Sequence, residues 1–397
     1  MKWCVTGFLL LVLAAICPAS LFGQNVVWTQ TSAPNSNWWC VASSADGTKL
    51  AACVDEGGIY TSTNSGVAWA ETSAPLVSWQ SIASSSDGTK LVATDASQIL
   101  TSTNSGASWT LTSAISSQGW LKVVASSSDG TILIAGTYGG GIYESTNSGQ
   151  KWFQTTAPNQ YWNSVALSSD GKSLFAVSYY GDVFQNSSGG IFVSTNAGII
   201  WTETSAPHTN WTNIAVSSDG TKLVAETYIG FWISTNAGAT WNMSGPYEFW
   251  LAVASSSDGS NLVAASSYGI WSSIDSGLTW KQNNPPGVYG NWPSVNSVAS
   301  SSDGTKLVAT IYGYGIFTGI VGSPSENLTA NFNKGIGVQL HLNGTPGYPY
   351  ILQATTNLTP PILWQPVATN LVDTSGNCSF TISNTSNYSQ RFFRASP

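Results

Sequence analysis

Residues 79–109 read WQSIASSSDGTKLVATDASQILTSTNSGASW, and this sentence, repeated along the chain with small changes, decides the fold. Its centre is the Asp87-Gly88 pair. Glycine accepts a positive φ at no steric cost and aspartate bonds the backbone around it, so the pair reads as a tight turn between strands. Trp-Gln-Ser-Ile-Ala leads into that turn, and Lys-Leu-Val-Ala-Thr leads out of it. A third run, Ile-Leu-Thr-Ser, and a fourth opening on Trp109 complete the sentence. Every run has strand length and none carries a helical apolar period. Outward from this stretch, the serine-preceded Asp-Gly turn recurs with its aspartates at Asp46, Asp87, Asp129, Asp170, Asp219, Asp258 and Asp303. The spacings of 41, 42, 41, 49, 39 and 45 residues match one four-stranded propeller blade each. Strands this short need neighbours, and stacking sheets around an axis supplies them.

Between the third and fourth strands lies Ser-x-Asn/Asp-x-Gly-x-x-Trp, at 62–69, 102–109, 145–152, 194–201, 234–241 and 273–280. The pattern resembles the Asp-box (BNR) repeat of sialidase-like and photosystem assembly factor-like propellers. As a turn, it needs the Asn or Asp for backbone donors, the glycine for a left-handed residue and the tryptophan for packing. The last repeat lacks it, with Thr318-Gly319 in its place. The chain, however, offers an unpaired fourth strand near its start, Trp28-Thr29-Gln30-Thr31-Ser32. The expected fold is all-β: a seven-bladed β-propeller closed by the N-terminal strand, followed by a small β-sandwich domain. The expected divisions are 1–23, 24–321 and 322–397.

Residues 1–23 have the layout of a signal peptide. Lys2 is followed by an apolar run from Phe8 to Ile16, then by small residues at Ala19, Ser20 and Gly23. That run is too short to span a bilayer, so membrane insertion is not expected. Export to the medium or the cell surface is. Only 8% of residues are charged and the net charge is -7, which leaves no basic footprint for nucleic acid. Cys40 and Cys53 fall in the first repeat. With a two-residue turn at Asp46-Gly47 they face each other and could form a disulfide; a three-residue turn would put them on opposite faces as two thiols. Cys378 has no evident partner. Beyond the linker-like Gly322-Ser323-Pro324-Ser325, short strands are expected at 337–342, 350–355, 364–368, 378–382 and 391–395. They resemble a C-terminal module of exported bacterial proteins.

The resemblance to sialidases implies an arginine cluster for a substrate carboxylate. Both arginines, Arg391 and Arg394, lie at the C-terminal end, so the propeller has none and sialidase chemistry is not expected. Related propellers include xyloglucan-cleaving enzymes, and a glycosidase needs two carboxylates. The acids outside the turns include Asp55, Glu56, Asp95, Asp182, Glu226 and Glu248, expected on or near loops that join second to third strands or one repeat to the next. His208 and His341 stand apart from other ligand types, so no metal and no cofactor is expected. Trp38, Trp79, Trp120, Trp162, Trp211, Trp250 and Trp292 each precede an inner strand, where they either stack on a ligand or fill the space between blades. Two insertions break the repeat, 178–189 and 283–292, and supply Tyr179, Tyr180, Asp182, Tyr289 and Trp292 as candidate ligand-binding residues. The expected protein is a monomeric, non-catalytic binding or scaffold propeller whose partner is a glycan or a surface protein. The alternatives are a glycoside hydrolase acting on a neutral polysaccharide and a purely structural propeller.

Overall fold

A computed structural model describes residues 25–112, 119–182, 189–285, 295–322, 327–333, 337–343, 349–356, 365–371, 373, 377–382 and 392–396. Every repeated element among them is a strand. In the first repeat, Trp38–Ser43 pairs with Leu50–Val54, which pairs with Ile59–Ser62 and then Ala70–Glu71. The repeats that begin at Ser81, Trp211 and Trp250 form four-stranded sheets in the same order. The two between them join into one eight-stranded sheet, because Leu133–Gly140 also pairs with Gln160–Leu167 through Tyr138↔Tyr161 and Gly140↔Gln160. The first strands of successive repeats contact one another in a closed circle, from Trp38–Ser43 around to Val295–Ser300 and back. The architecture is that of a β-propeller.

The turns explain why the repeat is so strict. Asp46 Oδ1 accepts from the Ser44 hydroxyl at 2.6 Å and the Thr48 N–H at 2.9 Å. The Ser44 hydroxyl in turn accepts the Lys49 N–H. The same bonds recur at Asp87, Asp129, Asp219, Asp258 and Asp303. They hold the Asp46 and Asp87 carboxyls at a pKa of about 2, through the serine hydroxyl first. A depressed carboxylate pKa adds stability above the unfolded value near 3.9, and that stability is lost as pH falls through about 2. The residue preceding each aspartate, alanine in the first repeat and serine in the others, then joins neighbouring sheets. The Ala45 N–H donates to the Ser86 carbonyl, and Ser86, Ser128, Ser169, Ser218, Ser257 and Ser302 continue in the same way until Ser302 donates back to Ala45, all at 2.7–3.0 Å.

The Ser-x-Asn/Asp-x-Gly-x-x-Trp turns obey a similar rule. Ser62 Oγ accepts the Gly66 N–H and donates to Asn64 Oδ1, which accepts the Ala68 N–H. Gly66 has φ +85°, and a Cβ there would lie 2.9 Å from Thr318 of the last sheet and 3.0 Å from Thr31, so only glycine fits. The turn's tryptophan packs beside the one that opens the inner strand. Trp38–Trp69, Trp211–Trp241 and Trp250–Trp280 each have ring centroids 6.3 Å apart.

Asn25–Gln30 is the outer strand of the sheet formed by Val295–Ser300, Lys306–Ile311 and Gly315–Gly322. Trp28 is buried there, and its indole N–H donates 2.8 Å to the Asn283 carbonyl of the preceding repeat. The Asp46-Gly47 turn sets the register Ser43↔Leu50 and Cys40↔Cys53. The two cysteines face each other as free thiols, and burial, followed by the hydrogen bond with Cys40, pushes the Cys53 thiol well above its ordinary pKa.

Gly322–Pro397 forms a unit apart from Gln24–Val321. Asn327–Asn333, Gly337–Asn343 and Asn377–Ile382 make one three-stranded sheet; Gln365–Leu371, Pro349–Thr355 and Phe392–Ser396 make another. Leu340, Leu342, Leu352, Cys378, Phe380 and Ile382 are buried. The strand Asn327–Asn333 escaped the sequence reading because its alternation is built of asparagines and threonine around Leu328, Ala330 and Phe332.

The Trp28 strand seals the circle, and truncating its anchor should be costly. Trp28→Ala is expected to lower stability by about 3–5 kcal/mol, the usual range for a buried aromatic. Urea denaturation at neutral pH measures it, and a loss below about 1 kcal/mol would mean that the seam is held elsewhere.

Candidate functional site

The inner strands fix which residues can meet a ligand. Each begins with a buried side chain, and five of them in the Trp-led pattern bury that tryptophan completely: Trp38, Trp79, Trp162, Trp211 and Trp250 are 0% exposed. These indoles fill the spaces between sheets and do not present a stacking face. Trp120 is different, at 70% exposure, because Leu121 occupies the buried slot of its strand at 3%. Val295 takes that slot in the last repeat, and Trp292 lies outside the described residues. Counting back from the Val-Ala pair, rather than forward to the nearest tryptophan, places the slot correctly.

One residue further along, the inner strands bulge. The register slips between Trp38 and Cys40, Leu121 and Val123, Trp162 and Ser164, Trp211 and Asn213, Trp250 and Ala252, and Val295 and Ser297. A bulge leaves its extra residue unpaired and re-aims the side chain. The residues so placed are Trp39, Lys122, Asn163, Thr212, Leu251 and Asn296, with Gln80 at the matching position in the second repeat, and all are half-buried. The inner strand's free edge is satisfied across the seams. Asn163 Nδ2 donates to the Thr212 carbonyl at 2.7 Å, Asn296 Nδ2 to the Trp38 carbonyl at 3.3 Å, and the Val41 N–H to Ser297 Oγ at 3.3 Å.

The loops on this face, joining second to third strands and one repeat to the next, carry the exposed aromatics. Tyr179 meets Tyr228 edge-on at 5.6 Å, and Tyr228 stacks on Phe249 at 4.5 Å. Tyr138 meets Tyr161 at 4.7 Å. Tyr247 and Tyr268 are 75% and 63% exposed, and Tyr312 and Tyr314 also reach solvent. Of the candidate residues, Tyr179 thus belongs to a described aromatic cluster. Tyr180 and Asp182 are placed by backbone only: they lie in the strand Leu174–Asp182, where Asp182 pairs with Gln160. The start of the 178–189 insertion therefore extends a strand instead of forming a loop. Tyr289, like Trp292, lies outside the described residues. The other aromatics escaped the sequence reading because they sit in ordinary repeats, where nothing in length marks them.

The acids divide sharply. Asp95 Oδ1 accepts the Ser97 and Gln98 N–H groups at 2.6 and 2.7 Å, so it shapes its own turn. Glu248 is half-buried, and desolvation raises its pKa. Asp55 is half-buried and Glu56 exposed. Glu226 lies beside a loop rather than on one. It lies in the strand Leu223–Thr227 at 0% exposure, with neither carboxylate oxygen hydrogen-bonded within the protein, and burial raises its pKa well above the usual range. His208 Nδ1 stands 3.6 Å from Glu203 Oε1, both exposed. Among the described residues no group of three or more His, Cys, Asp or Glu is placed to hold a metal.

No family model matches the chain, and no curated protein matches its sequence. Solved structures resemble it in fold. YCF48 from Cyanidioschyzon merolae is 16% identical over 74% of this chain and 98% of its own, with a TM-score of 0.58. A structure of YCF48 bound to D1 peptide matches 76% of this chain and 96% of its own, at 16% identity and TM-score 0.57. The GH74 xyloglucanase from Xanthomonas campestris matches 80% of this chain and 59% of its own, at 15% identity and TM-score 0.56. At such identities the likeness is one of propeller fold.

Glu226 gives the propeller a pH signature. Its proton is retained on folding where the unfolded chain releases it near pH 4.3, so its contribution is fully present below that value and falls as pH rises toward the folded pKa. Glu226→Gln should remove this slope and make the variant more stable than the parent at pH 8, though not at pH 4. Urea midpoints at the two pH values test it, and equal shifts at both would contradict a titrating Glu226.

Proposed function

We propose that this is an exported, non-catalytic binding or scaffold protein: a seven-bladed propeller closed by its N-terminal strand, followed along the chain by a small β-sandwich. Its loop face recognises a glycan or a surface protein. The observation that carries the reading is the division of aromatics. The repeated tryptophans are internal, whereas Trp120, Tyr247 and Tyr268 stand exposed on one face, alongside the Tyr179–Tyr228–Phe249 cluster. Exposed aromatics on loops held by a rigid scaffold are the usual material of a recognition surface. The acids support binding over hydrolysis, since Asp95 is committed to its turn and Glu226 is sealed from solvent. The fold accommodates either partner: one neighbour is a complex with a peptide and another is a xyloglucanase. Seven recurrences of the Asp-Gly turn and the closed circle of inner strands support the blade count. The two three-stranded sheets of the last unit support the sandwich.

A glycan array, run beside a polysaccharide-degradation screen on the exported protein, tests this reading. Binding without turnover is expected, weakened at least tenfold by Trp120→Ala or Tyr268→Ala with the unfolding midpoint unchanged. Turnover of a neutral polysaccharide would replace the proposal with the hydrolase alternative; silence on glycans would point to a protein partner.

We also propose that the facing Cys40 and Cys53 thiols, free in this structure, are oxidised to a disulfide once the protein is exported. They are direct cross-strand partners, and an oxidising compartment favours the bond. Mass spectrometry of protein recovered from the medium should find a peptide pair that separates only on reduction. Two alkylatable thiols in unfolded, unreduced protein would refute the assignment.

A further inference from the structure

Lys122 is an unusual lysine for this chain. Lys90 and Lys306 follow Asp-Gly turns, and each donates to the aspartate carbonyl of the next repeat, Asp129 and Asp46. Lys172 pairs with Asp170, and Lys151 lies over the Phe153 ring. Lys122 instead occupies the bulge of an innermost strand, half-buried, two residues from exposed Trp120. Its ammonium has one hydrogen bond, to Gln80 Oε1 at 3.3 Å, and no carboxylate within ion-pair distance among the described residues. Desolvation lowers its pKa, as expected of a cation held from water without a counter-charge.

Its surroundings are neutral but not apolar. The matching positions of the other inner strands hold Trp39, Gln80, Asn163, Thr212, Leu251 and Asn296. They lie at the loop-face end of the inner strands, where Lys122 reaches Gln80, Asn163 the Thr212 carbonyl and Asn296 the Trp38 carbonyl across neighbouring seams. Asn163 and Asn296 use their amide N–H groups on neighbouring carbonyls, which leaves both amide oxygens open to accept hydroxyl groups. The preceding position is tryptophan in five of the seven repeats, whereas this one changes from repeat to repeat. A position free to vary within a strict repeat is where specificity can be written.

We infer that the axial mouth of the propeller is a subsite for a uronic acid residue of an acidic glycan, with the sugar's carboxylate on Lys122 and its ring against the aromatic side of Trp120. This rests on the glycan form of the proposed function and narrows it. One ammonium balances one carboxylate; a dianionic phosphate monoester would find no second cation among these positions. Open amide oxygens suit sugar hydroxyls, and an exposed indole suits a pyranose face. The charge-assisted bond forms at a site already drawn away from bulk water, where it is stronger than on an open surface.

The experiment is titration calorimetry of the exported protein with an oligogalacturonide and with a neutral oligosaccharide of equal length. The acidic oligosaccharide should bind at least tenfold more tightly. Lys122→Met, which keeps the aliphatic stem, should erase that preference, and Lys122→Arg should restore most of it. Raising the salt concentration should weaken only the acidic ligand. Equal binding of both sugars, unchanged by Lys122→Met, would overturn the uronate subsite while leaving glycan recognition intact. Failure to bind any sugar would overturn the glycan form of the proposed function with it. Lys122-dependent binding of a peptide through its terminal carboxylate, without uronate binding, would also overturn the inference, in favour of a protein ligand. Circular dichroism of each variant confirms that it is folded.

Discussion

The circle of backbone hydrogen bonds through Ala45, Ser86, Ser128, Ser169, Ser218, Ser257 and Ser302 is the constraint on which the rest depends. Each bond is ordinary in length and, alone, worth only about 0.5–1.5 kcal/mol. Closure changes what they do together, because no sheet can tilt or slide without stretching the bonds on both sides. The Asp-Gly turns exist to hold these donors and acceptors in place. Their serine hydroxyls and aspartate carboxylates are spent on the turn itself, which is why the sequence there is nearly invariant from repeat to repeat. Serines also line a cavity of about 160 Å³ beside the circle, including Ser86, Ser128 and Ser257. One end of the axis is thereby given over to structure, and variation is left to the other.

Scarcity of charge follows from the same arrangement. A ring of short sheets is held by hydrogen bonds across seams and by apolar side chains between sheets, neither of which needs ion pairs. Where charges do occur they have local tasks, as with Lys306 reaching Asp46 across the closure. Against that background the few charged groups without such a task stand out. Glu226 occupies the strand position held by Thr94, Ala265 and Thr310 elsewhere, so a carboxyl replaces a small side chain within the packed region. Protonation is the cheaper way to tolerate it there, given the cost of an ionised carboxylate in the interior.

Much of this was legible in the sequence because turns carry strong local chemistry. Asp46-Gly47 alone determines that Cys40 faces Cys53, and the unpaired strand around Trp28 could be matched to a last repeat that lacks its own fourth strand. The site was less legible, for three physical reasons. Trp120 stands four residues before Val124, where the other tryptophans stand three before the matching residue, so Leu121 takes the buried slot and Trp120 alone of the described set is left exposed. A polar residue near a strand end reads as a solvated one, which left the burial of Glu226 unseen. An insertion reads as a loop, although the first part of 178–189 continues as strand through Asp182.

The solved neighbours show that this scaffold is compatible with a peptide complex and with a xyloglucanase, so the fold does not select a ligand. What selects it must lie where the repeat stops repeating. A residue present in nearly every repeat is accounted for by the circular symmetry, as the buried tryptophans are. A residue present once has no such account. By that criterion Trp120, Lys122 and the Tyr179–Tyr228–Phe249 cluster are the informative part of the molecule. Trp120 and Lys122 lie on an inner strand, Tyr179 near the end of the second strand Leu174–Asp182, and Tyr228 and Phe249 between strands, all away from the Asp-Gly turns that carry the hydrogen-bonded circle.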